Sequence, residues 1–134
     1  ECMSYAYSLG KIGEDIAANH LISKGYRILH RNWGLHRGHE LDIVATNYKE
    51  LVVVEVKTRS SDYIMRPEQA VNNEKVRRIC MATHGYVRAY NINMPIRFDI
   101  IAIVYRNSEN IEINHIENAF KFPPINRSGR YRRW

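Results

Sequence analysis

Two short apolar runs, His39-Glu40-Leu41-Asp42-Ile43-Val44-Ala45 and Leu51-Val52-Val53-Val54-Glu55-Val56-Lys57, flank the polar tetrad Asn47-Tyr48-Lys49-Glu50. Runs of this length on either side of turn-forming residues predict the two strands of a β-hairpin. A loop that closes without a bulge sets position 46 opposite 51, and the same register sets Asp42 opposite Glu55 and Glu40 opposite Lys57. Side chains alternate along a strand, so Asp42, Glu55, Lys57 and Glu40 are expected on one face.

The remaining pattern predicts the elements around that hairpin. Apolar spacing through Ala6, Leu9, Ile12, Gly13, Ile16, Ala17 and His20 predicts a helix over 4–24, with Gly25 as its stop. Glu14 falls on the border of the inward face of this helix, whereas Asp15 points away. A strand is expected over 26–33, a loop over 34–38, and a connection over 59–66. Pro67 is placed to open a second helix that runs to about Tyr90, with Val71, Ile79, Ala82 and Tyr86 as its core stripe. Lys75 lies on that stripe, where it either snorkels outward or reaches the acidic strand face. The nearly continuous apolar run 97–105 predicts a buried strand parallel to its predecessor across the helix, and 111–116 an edge strand. The resulting order, αβββαββ, describes one domain over 1–118 followed by a basic C-terminal tail over 119–134.

Composition narrows the partners. A chain of 134 residues buries a core without metal or disulfide staples, and its two cysteines form neither a metal-ligand spacing nor a disulfide framework. With no apolar run near the ~20 residues of a membrane span and no apolar stretch of a secretion signal at the start, a cytoplasmic protein that does not enter the membrane is expected. The net charge of +6 points toward polyanions. Lys75, Arg77, Arg78 and Arg88 give the second helix a positive flank, and Arg127, Arg130, Arg132 and Arg133 crowd the C-terminus beside Tyr131 and Trp134. Arginine interleaved with aromatics suits phosphate pairing and base stacking, and equally suits a solubilising tail.

Asp42 and Glu55 carry the candidate chemistry. Opposed carboxylates about 5 Å apart repel by roughly 3 kcal/mol at an effective dielectric near 20. Two arrangements relieve that repulsion: a solvated face with Lys57 as neutralising neighbour, or a bound cation. Oxygen-only ligands select a hard ion such as magnesium or manganese. The valines around Glu55 indicate a strand covered on both faces, which favours the cation. Zinc held by His36 and His39 has only two nearby ligands.

An acid on the first helix, then Asp, then Glu-x-Lys on the next strand resembles the PD-(D/E)XK nuclease superfamily, within it the YraN-like family of small endonuclease-like proteins, and beyond those the archaeal Holliday-junction resolvases. The resemblance spans roughly Leu9 to Tyr105. It rests on Gly10-Lys11-Ile12-Gly13-Glu14-Asp15-Ile16-Ala17, Gly38-His39-Glu40-Leu41-Asp42-Ile43-Val44-Ala45, Val54-Glu55-Val56-Lys57-Thr58-Arg59, Lys75, and Arg97-Phe98-Asp99. One departure is local: His39 stands where the family usually has the Gly that precedes Glu. The resemblance implies an α/β fold with a restriction-endonuclease-like αβββαβ core, a mixed central sheet flanked by helices. It also implies a metal-dependent endonuclease acting on nucleic acid, DNA rather than RNA, with branched or junction DNA among the candidate substrates. In that reading Asp42, Glu55 and the main-chain carbonyl of Val56 hold magnesium or manganese, and Lys57 orients the attacking water. Glu14 serves a second ion or a bridging water, and Glu40 fixes Lys57. Arg59 and Lys75 are implied phosphate contacts, with Arg77, Arg78, Arg130, Arg132 and Arg133 as the wider nucleic-acid surface. Arg97 and Asp99 form a structural pair, and a symmetric homodimer is the implied assembly. The alternative is a non-catalytic nucleic-acid-binding module on the same fold.

Overall fold

The computed structural model describes residues 2–34, 40–60 and 71–131, and the side chains of 8–34, 41–60 and 71–131. Its elements are α1 (Cys2–Ser23), β1 (Arg27–Gly34), β2 (Glu40–Thr46), β3 (Leu51–Arg59), α2 (Asn73–Tyr90), β4 (Ile96–Asn107) and β5 (Asn110–Phe120). The five strands form one sheet in the order β1-β2-β3-β4-β5. Every neighbouring pair is antiparallel except β3 and β4, which run parallel across α2 as the apolar runs predict. The result is a mixed five-stranded sheet between two helices, a restriction-endonuclease-like α/β core.

Alternation along β3 divides the core. Val52 and Val54 join Ala17, Ala18 and Leu21 of α1 on one side of the sheet. Leu51 and Val53 join Val76, Ile79, Cys80 and Tyr86 of α2 on the other. Since each layer buries about five or more large apolar groups, worth roughly 1.5–3 kcal/mol apiece, burial holds both helices to the sheet.

Local chemistry sets the boundaries. α1 ends as Gly25 turns into the left-handed region at φ 90°, with the Gly25 N–H donating to Ile22 O and the Tyr26 N–H to Leu21 O. The β2–β3 turn is built by Asn47, whose Oδ1 accepts the Lys49 and Glu50 N–H groups at 3.0 and 2.7 Å. α2 begins later than the proline signal predicts: Asn72 is its N-cap, with Oδ1 accepting the Lys75 N–H at 2.9 Å, and Pro67 lies outside the described residues. Proline and asparagine are both good helix openers, and the asparagine cap is the one used. Asn91 closes α2 at φ 51°.

Asp99 at the start of β4 is fully buried and heavily bonded. It accepts from Arg97 Nε and Nη2 at 2.9 and 2.8 Å, from His115 Nε2 at 2.8 Å and from the Asn118 N–H at 3.0 Å. Those bonds hold its carboxyl below the usual carboxylate range against the opposing push of burial. The Arg97–Asp99 pair thus ties β4 to β5. Downstream, residues 119–131 fold back on the domain: Phe120, Phe122 and Tyr131 pack against the α2-side core, and Ile125 bridges to Tyr131.

Candidate metal-binding and phosphodiester site

The hairpin pairs Thr46 with Leu51, Ala45 with Val52, Val44 with Val53 and Ile43 with Val54, which is the register expected from the turn. The next step of that register sets Asp42 against Glu55. There the ladder ends, because the Val56 N–H donates to Asp42 Oδ2 at 2.9 Å instead of to a main-chain carbonyl. The aspartate therefore has a structural task as well as a charge.

Alternation puts Glu55 and Lys57 on the α2 side of β3. Glu55 is only 7% exposed, and Lys75 reaches down from the first turn of α2 to place Nζ 3.0 Å from Glu55 Oε1. Of the two positions open to that lysine, the structure adopts the one facing the acids. Burial, and after it the charge of Glu55, pushes the Asp42 carboxyl up to about 7, against the Val56 N–H, which favours the ionised form. Near neutral pH Asp42 therefore keeps a proton for much of the time, and a cation could take its place. Lys57 is half-buried, with no ion pair among the described residues.

Glu14 arrives from α1. A Cβ on Gly13 would lie 1.7 Å from Thr58 Oγ1, so only glycine lets the helix backbone sit this close to β3. That contact brings the next residue, Glu14, to the part of the sheet just beyond Glu55 and Lys57. Its Oε1 accepts from Asn32 Nδ2 at 2.9 Å and lies 3.7 Å from Arg31 Nη2. Asn32 has φ 51° and lies between Arg31 and Trp33, whose partners Ile43 and Leu41 flank Asp42. Glu14 is thereby tethered to the strand beside Asp42. Asp15 instead pairs with Arg31 and Lys11.

Asp42 and Glu55 come together as a pair. Among the described residues no three His, Cys, Asp or Glu side chains form a metal-holding cluster, so Glu14 stays outside the pair. The main chain of Glu40 opens β2 opposite Gly34, while its side chain lies outside the described residues, as do His36, His39, Arg132 and Arg133. Arg59 closes β3 and is half-buried; Arg77 is half-buried, and Arg78 and Arg130 are exposed. Sequence reasoning missed the tether from Asn32 and the close contact between Gly13 and Thr58. Neither leaves a periodic signal, since a polar residue with positive φ and a packed glycine both look ordinary in the chain.

No described helix is long and apolar enough to cross a membrane. A family model described as "Uncharacterised protein family UPF0102" matches residues 13–103, a span that holds every one of these acids and both lysines. A "UPF0102 protein" of Parabacteroides distasonis is 46% identical over 121 residues, covering 90% of this chain and 98% of its own. Another of the same name from Phocaeicola vulgatus is 50% identical over 117 residues, covering 87% and 93%. A third, from Bacteroides thetaiotaomicron, is 48% identical over 118 residues, covering 87% and 94%.

Proposed function

From the premise that the chain belongs to the UPF0102 family, the YraN-like endonuclease-like group, we propose that it is a divalent-metal-dependent nuclease hydrolysing phosphodiester bonds in nucleic acid, DNA rather than RNA. The observation that carries this reading is the facing pair of half-buried Asp42 and buried Glu55, with Lys57 two residues further on the same strand face. The donor set fits a hard cation. Both side chains offer oxygen, and the Val56 carbonyl points the same way as its N–H, toward Asp42, because a strand residue directs both groups to one side.

Magnesium or manganese bound there would neutralise developing phosphate charge and acidify a water. The chain's own groups do the rest. Lys57 holds that water or the departing charge by hydrogen bond, and burial around Glu55 excludes bulk solvent, which strengthens each interaction. Glu40 would steady Lys57 across the hairpin. Glu14 would hold a further water from α1. Lys75 is countercharge to Glu55 and, once a cation takes that role, becomes free to meet a phosphate oxygen. A second copy of the chain would suit a branched substrate with two-fold symmetry.

Calorimetric titration tests the ion. Magnesium or manganese should bind the wild type and fail to bind Asp42→Asn, a variant that keeps an oxygen for the Val56 N–H; equal binding by both would end the reading. In a nuclease assay on branched, nicked and single-stranded DNA, Lys57→Ala should lose about 10²-fold or more in turnover while melting at the same temperature. One observation favours a second reading, a nucleic-acid-binding module without hydrolysis: Lys75 already neutralises Glu55 at 3.0 Å. Product that forms only with divalent ion separates the two.

A further inference from the structure

On the outer face of α2, away from the acids, a cleft of about 550 Å³ opens between the helix and the C-terminal turn, lined by Met81, His84, Arg88, Ile125, Arg130 and Tyr131. Its volume is that of a small-molecule site. Its chemistry is two-sided. Met81 and Ile125 are large apolar groups left 54% and 55% exposed, and they share the wall with the Tyr131 ring. Arg88 and Arg130 are exposed, with no acidic partner among the described residues, and no carboxylate lines the cleft.

The frame is built rather than loose. His84 stacks on Phe122 and Tyr131, with ring centroids 5.0 and 5.8 Å away. Burial, and after it the nearby Arg88 charge, lowers the His84 pKa, so a neutral imidazole offers a hydrogen bond there. Asn126 Oδ1 accepts the Ser128 and Arg130 N–H groups at 3.1 and 2.9 Å, and the Asn126 N–H donates to Arg130 O at 2.7 Å, which fixes the turn that presents Arg130. Two uncompensated guanidiniums beside an apolar, aromatic wall match a ligand that joins a phosphate to a flat ring.

We propose that this cleft holds one nucleotide of a single-stranded stretch of nucleic acid, its phosphate met by Arg88 and Arg130 and its base laid against Met81, Ile125 and Tyr131. The inference takes its polymer from the function proposed above but not its chemistry. It gives the protein a second grip, on the opposite side of α2 from the acids, that fixes how a strand leaves the site.

The test uses the full chain, a fluorescent single-stranded 12-mer and chelator, read by anisotropy across a salt series. Arg88→Ala and Arg130→Ala should each weaken binding about five- to tenfold and lower the salt slope by about one. Met81→Glu, an exposed change that puts a carboxylate in the cleft, should weaken it as well. Lys24→Ala removes the same charge from the opposite layer and should change binding less than twofold. Cleavage cannot occur in chelator, so an inactive acidic site would leave the result untouched. Equal losses in the Arg88, Arg130 and Lys24 variants would overturn the cleft. A free nucleoside monophosphate that displaces the 12-mer at an equal concentration of nucleotide would overturn the strand assignment.

Discussion

At the scale of single residues, the site is held by groups that serve structure and charge at once. Asp42 has a pKa raised from 3.8 to about 7, so in metal-free protein the folded state holds a proton that the unfolded chain releases between those values. Stability supplied by this group is complete below about pH 4 and is lost as pH rises toward 7, because the folded state binds more protons. Melting in chelator should therefore show the wild type losing stability relative to Asp42→Asn across that window. His20 and His84, both lowered, act with the opposite sign near pH 6, and the paired comparison cancels them. A parallel fall in both proteins would refute the raised Asp42 pKa. Gly13→Ala should cost about 1–3 kcal/mol through collision with Thr58, and Thr58→Ala in the same chain should recover part of it; chemical denaturation measures both.

Among the elements, α2 matters most, since its first turn delivers Lys75 to Glu55 and its outer face makes the cleft. The cap that sets this turn is Asn72, and Asn72→Ala should destabilise the protein by about 1 kcal/mol. Most elements were legible in the chain. Asn47-Tyr48-Lys49-Glu50 is a turn by composition, and its length alone sets the register that brings Asp42 to Glu55. A helix between two apolar runs carries the chain back to the end where the first strand began, which favours parallel pairing and made β3 and β4 readable. The opening of α2 was not, because Pro67 and Asn72 carry competing signals of similar strength. β5 extends to Phe120, four residues beyond the alternating segment, because Phe98 and Phe120 stack at 4.9 Å, a contact between distant positions.

In the whole molecule, the sheet separates two polar centres. Asp99, with Arg97 and His115, closes the α1 layer, while Asp42, Glu55 and Lys75 occupy the α2 layer. Only long-range packing distinguishes them: both begin as an acid in an apolar strand, and the first has its hydrogen bonds filled while the second sets two acids against each other with Lys75 paired to one of them. The C-terminal stretch was the least legible part. Its arginines dominate the composition, yet Phe122 and Tyr131 decide where it lies. With a net charge of +6, affinity for any polynucleotide should fall steeply between about 50 and 200 mM salt, and a flat profile would argue against phosphate contacts.

The bond from the Val56 amide to Asp42 has an evolutionary corollary. An aspartate that stands in for a missing carbonyl is selected for shape as well as for chemistry, whereas Lys57 makes no ion pair among the described residues. Under the proposed hydrolytic function, a lineage that lost the activity would be expected to shed the lysine first and carry the aspartate long afterwards, so the lysine, far more than the acid, would mark which descendants keep it.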